Sequence, residues 1–179
     1  MGHSLSWLAV KGKRPRDLHR ELGVERTGER EDLPESPIVG AALPGGWYVV
    51  VFNEADVDLS DEVLLARVSA GCEIVTCDVE EHVMFSAASG WKDGEERWSV
   101  FHDSQVGIEH LATKGELPAA FRSIADEARN EQDAAGGERA EVDFLFDVPL
   151  ELARTLTRFR HDEELEGTEP APFEQLDGL

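Results

Sequence analysis

The chain has 179 residues and carries 38 acidic side chains against 17 Lys and Arg, a formal net charge of −21. Such a field repels nucleic-acid phosphates and anionic membrane surfaces, and it attracts cations and basic proteins. A composition that is 41% hydrophobic and 31% charged is that of a globular chain, not a disordered one.

Positive charge is unevenly placed. Residues 1–20 hold Lys11, Lys13, Arg14, Arg16 and Arg20 against Asp17 alone, so the remaining residues carry −25. A basic partner is one account of this acidity, and a high-salt or GC-rich background is another. No run reaches the roughly 18–20 apolar residues of a membrane span. The start, Met1 to Leu8, lacks the basic and long apolar regions of a secretory signal. Two cysteines, Cys72 and Cys77, do not make a disulfide scaffold, so the expected setting is cytoplasmic with reduced thiols. The length suits one domain, expected over residues 1–161, followed by an acidic C-terminal tail over 162–179.

Residues 4–10 alternate in the manner of a strand. Pro15 suits the first turn of a helix, Leu18 and Leu22 share one face of it, and Gly23 closes it. Residues 25–37 are charged and contain Pro34 and Pro37, which predicts a surface loop. Residues 38–43 and 47–52 read as two strands joined by Pro44-Gly45-Gly46, the second apolar throughout and therefore central. A short helix is expected over 60–69, with Ser60 as its N-cap and Gly71 as its stop.

Strands are then expected over 72–79, 82–88 and 97–103. Asp93-Gly94 is a two-residue hairpin turn that sets Lys92 opposite Glu95, Ala87 opposite Val100 and Phe85 opposite His102. Val83, Phe85, Ala87, Trp98, Val100 and His102 are then expected on the core face, and His82, Met84, Arg97, Ser99, Phe101 and Asp103 on the other. A one-residue change there would reverse the parity of the pairing. Residues 117–133 form the longest helix, 141–147 a last strand, and 149–160 a last helix. The predicted fold is α+β: a single antiparallel or mixed β-sheet with helices packed on it, on one side in the simplest arrangement. Its first six elements match the connectivity of a ferredoxin-like βαββαβ unit.

Sequence motifs for chemistry are scarce. Gly45-Gly46 and Gly136-Gly137 lack the spacing of phosphate-binding loops and read as turns. The six histidines show no metal-ligand spacing, so no metal and no cofactor is expected. His82, His102 and His110 could converge with Asp103, although the predicted register puts His82 and His102 on opposite sheet faces. Cys72 and Cys77 read as packing residues rather than nucleophiles. Asp56, Asp58, Asp61 and Glu62 lack the spacing of an EF-hand and read as a solvated loop before a helix. The stretch from Lys11 to Arg16 has no aromatic residue for stacking and is expected to pair within the molecule. Trp91 flanks the hairpin turn and is expected to cover the sheet end.

Two functional expectations follow. The first is an acidic intracellular interaction protein, of immunity or inhibitor type, that engages a basic protein partner and neither nucleic acid nor membrane. The alternative is an enzyme or small-ligand-binding domain with a dispersed site near His82, His102 and Asp103.

Overall fold

Both faces of the first strand, β1 (Ser4–Lys11), are apolar: Trp7 and Ala9 point one way, Leu8 and Val10 the other, and all four are buried. Such a strand needs cover on two sides and a hydrogen-bonded neighbour along each edge. The computed structural model, which describes residues 2–53, 57–165, 167 and 169–178, supplies both. In chain order β1 is followed by α1 (Pro15–Leu22), β2 (Val24–Glu31), β3 (Ile38–Ala42), β4 (Trp47–Phe52), α2 (Glu62–Val68) and β5 (Glu73–Glu80). Then come β6 (Phe85–Lys92), β7 (Glu95–Asp103), β8 (Ala112–Gly115), α3 (Phe121–Ala134), α4 (Asp147–Thr157) and β9 (Phe173–Gly178).

The nine strands make one antiparallel sheet in the order β2-β9-β3-β4-β1-β5-β6-β7-β8. Its centre, β3-β4-β1-β5, is the expected βαββαβ unit. The path from β1 through α1 to β3 skips β4, and the path from β4 through α2 to β5 skips β1, so both are split βαβ connections.

Helices cover both faces, not one. Leu18 of α1 and Leu65 and Val68 of α2 pack with Leu8, Val10, Val50 and Ile74. On the opposite face Leu150, Leu152 and Ala153 of α4 pack with Ala9, Val49, Val51 and Cys77. There Phe159 meets Trp7 edge to face, with ring centroids 5.1 Å apart. Helix α3 rides on α4 through Ala125, Ala128 and Val148. The sheet is thus the middle of three layers.

Four sequence expectations are corrected. Residues 25–37 are not all loop, because β2 fills Val24–Glu31. Residues 162–179 are not simply a tail, because β9 lies between β2 and β3 and buries Phe173 and Leu176 in opposite cores. Residues 141–147 are not a strand: bends and turns run to Phe146, where the Asp143 carboxylate accepts the Phe146 N–H at 3.1 Å, and Asp147 already opens α4. Finally, Asp61, not Ser60, caps α2, accepting from the N–H groups of Val63 and Leu64.

The hairpin of β6 and β7 turns at Asp93 and Gly94, with φ of 53° and 82°, and Lys92 faces Glu95 as expected. A bulge follows at once. Trp91 faces Glu96 but Gly90 faces Trp98, so Arg97 is the extra residue. A Cβ on Gly90 would lie 2.1 Å from the Trp98 Nε1, so only glycine admits the indole at this step. The pairing shifts by one residue: Ala88 faces Val100, Ser86 faces His102 and Phe85 faces Asp103. The predicted inward face of β6, with Phe85 and Ala87, is therefore the opposite one. Strand β6 also begins later than residue 82, and Met84 turns with a φ of 52° just before it.

Candidate functional site: an acidic groove on the open sheet face

The residues singled out in the sequence separate in space. His102 is fully buried, and both of its ring nitrogens are engaged. Nδ1 lies 2.6 Å from the His110 carbonyl and Nε2 2.8 Å from the Asp143 carboxylate. The His110 Nδ1 accepts the Asp103 N–H at 3.0 Å. The Asp103 carboxylate accepts the Gln105 N–H at 2.9 Å. His102, Asp103 and His110 thus converge, but as a pin that fastens the 104–110 and 140–147 segments to β7. His82 stands apart on the exposed turn between β5 and β6. Among the described residues no three His, Cys, Asp or Glu side chains are grouped to hold a metal ion.

His102→Ala is expected to lower stability by about 2–4 kcal/mol in urea titrations, because it removes two buried hydrogen bonds and leaves the Asp143 Oδ2 without its partner. A smaller loss than about 1 kcal/mol would deny the pin.

The cysteines are free and buried, and burial pushes the Cys77 thiol well above its ordinary range, which disarms it as a nucleophile. The basic stretch pairs locally: Lys13 meets Glu21 at 2.7 Å, Arg14 meets Asp17 at 2.8 Å, and Lys11 lies 5.7 Å from the Trp47 ring centroid. Trp91 is buried and donates to the Ser89 hydroxyl at 3.2 Å. Asp58 closes a turn onto Ser60, Asp61 caps α2, and Asp56 lies outside the described residues.

A different site stands on the sheet face that carries α1 and α2, over β5, β6 and β7. Cross-strand register places Phe52, Ser6, Asp78, Ala87 and Phe101 in one row across β4, β1, β5, β6 and β7. With strands about 4.8 Å apart, the row spans roughly 19 Å. Next to it runs Leu8, Thr76, Ser89 and Ser99, and on the other side Ser4, Glu80 and Phe85. Small side chains at Ser4, Ser6, Ala87, Ser89 and Ser99 keep the floor low. Phe52, Phe85, Phe101 and Trp91 stand around it, and the segment from Val57 to Glu62 makes a wall. The result is an open groove of about 840 Å³.

The lining carries five carboxylates, from Asp58, Glu62, Asp78, Glu80 and Glu96, and no Lys, Arg or His among the described residues. Three are already engaged. Glu80 accepts the Ser4 hydroxyl at 2.5 Å, Asp58 accepts the Ser60 N–H and hydroxyl, and Glu96 pairs with Lys114 at 3.3 Å. The hydroxyl bonds hold Glu80 and Asp58 below the usual carboxylate range. Asp78, in the floor, has no hydrogen-bond or ion-pair partner among the described residues. Burial, with a smaller push from the Asp58 charge, raises its pKa to about 6. This is a desolvated acid with room above it.

Asp78 belongs to no motif: it alternates with Cys77 and Val79, whose apolar side chains mark the other face of β5 as the packed one. The available signal was a carboxylate inside a central strand, opposite a run of small residues, Ser86 to Gly90.

Fold and groove together define an α+β protein with an acidic, aromatic-walled groove on one sheet face. Comparison of the chain with protein families, with curated proteins and with solved structures gave no match. No helix among the described residues is long and apolar enough to cross a membrane.

Proposed function

We propose that this protein is an interaction module that docks a cationic segment of a basic protein partner into the groove. An inhibitor or immunity protein that neutralises a cationic toxin or nuclease is one concrete form. The observation that carries the reading is Asp78: a desolvated carboxylate, unpartnered among the described residues, in the floor of a groove whose other described charged side chains are all acidic. A half-buried carboxylate with no partner carries a desolvation cost that a cation with N–H donors offsets when it reaches the group. The aromatic walls suit the same occupant through their negative ring faces. The net charge of −21 adds long-range steering. The alternative centred on His82, His102 and Asp103 has less support, because His102 is enclosed with both nitrogens satisfied.

The test is an NMR titration with a capped octapeptide of alternating arginine and lysine. The expected result is amide shifts concentrated at Ser6, Asp78, Ala87 and Phe101, with affinity falling at least tenfold between about 0.05 and 0.5 M salt. Shifts scattered over the whole acidic surface, unchanged by Asp78→Asn, would refute docking in the groove.

A further inference from the structure

We infer that the side chain seated on Asp78 is an arginine, so that the groove acts as an arginine-selective socket; this rests on the docking reading above and narrows it to one cation. The floor has the right shape for a flat group. Ser6 and Ala87 flank Asp78 in its row, and both side chains are shorter than that of the aspartate between them. A guanidinium lies flat over such a floor and presents two parallel N–H groups to one carboxylate, which an ammonium does not.

The walls favour the same group. Phe101 sits directly across from Ala87, and Phe85 is on the same face two residues along β6. Their ring centroids are 6.4 Å apart with planes tilted by 38°, and Phe101 is 40% exposed, so an aromatic surface faces the incoming group. Guanidinium stacks on aromatic faces and sheds water more easily than the compact ammonium. Beyond Asp78, the floor offers further oxygen acceptors. Ser89 and Thr76 share a hydrogen bond of 2.6 Å, and Trp91 donates to Ser89, so this pair is fixed in place before any ligand arrives. A group with five N–H donors uses carboxylate and hydroxyl together, whereas the three donors of lysine converge on one point.

Three capped peptides decide the matter: identical lysine-containing octamers whose fourth residue is arginine, lysine or citrulline, titrated by NMR against the full chain. Arginine is expected to bind at least tenfold more tightly than lysine, with citrulline weakest. The arginine-to-lysine ratio should fall to near one in Asp78→Asn. A second variant, Ala87→Leu, keeps the charge but raises the floor, and it is expected to remove the arginine preference as well. Equal binding of arginine and lysine peptides, both lost in Asp78→Asn, would overturn the selectivity and leave the docking reading standing. No shift in the groove with any of the three would overturn the docking reading itself.

Discussion

Asp78→Asn is expected to make the folded chain more stable at pH 7, by about 1–2 kcal/mol, while abolishing capture of the cationic peptide. The sign follows from linkage. In the unfolded chain Asp78 ionises near 3.8, and in the fold near 6. Between those values the native state binds more protons, so the contribution of Asp78 to stability is intact below pH 3.8 and is lost as pH rises through 6. The shift corresponds to about 3 kcal/mol at 1.36 kcal/mol per unit, and solvent in the open groove reduces what is recovered. Asparagine keeps the shape and removes the charge. The gain should appear as a rise of about 3–6 °C in Tm at pH 7 and shrink to a small fraction of that at pH 4. Stability surrendered at a binding residue is a common trade. Peptide affinity of the wild-type chain should also strengthen from pH 5 to pH 7, as Asp78 gives up its proton. A variant that is less stable at pH 7 than the wild type would contradict the account of Asp78 as an unpartnered acid.

Deleting the chain from Phe173 onward is expected to remove most of the stability of the fold. Among the described residues β9 is the only strand paired with β2, and it joins β2 to β3. Phe173 packs with the α4 core and Leu176 with the α1 and α2 core. Truncating such residues individually costs about 2–5 kcal/mol each, against a total of about 5–15 kcal/mol for a domain. A polar chain adds to the loss. The Tyr48 hydroxyl accepts from His19 at 2.8 Å and donates to Glu174 at 2.6 Å, and Glu174 pairs with Arg26 at 2.8 Å. That chain links α1, β4, β9 and β2. Urea titrations should show the truncated chain unfolded, or weaker by at least about 4 kcal/mol. The point variant Leu176→Ala should lose about 2–4 kcal/mol. A truncated chain with an unchanged midpoint would show that the segment from Phe173 onward is part of a detachable tail, as its composition suggests.

The elements legible in the sequence are those whose own side chains record burial. Strand β4 is apolar at all six positions because it is covered on both faces, and α1 shows its proline start and glycine stop. Strands β2 and β9 record nothing of the kind. They lie toward the sheet edge, most β2 side chains meet solvent, and β9 buries two residues an odd number apart, one on each face. Their pairing is a long-range fact that no local pattern carries. The hairpin turn was readable from Asp93-Gly94, but the bulge at Arg97 was not, and one residue was enough to exchange the faces of β6. The same exchange hid the groove. With Phe85 and Ala87 assigned inward, the open face could not be assembled around Asp78. The histidines near β7 attracted attention by residue type, and His102 proved to be a satisfied core residue.

The most direct measurement is the ionisation of the Asp78 side chain, followed by carbon-detected NMR with the carboxyl carbon labelled, in the free protein and with the arginine-containing octapeptide bound. The expected result is a pKa of about 6 in the free protein and a fall into or below the ordinary carboxylate range when the peptide is bound. An ordinary value in the free protein, or a raised value that the peptide leaves unmoved, would contradict it.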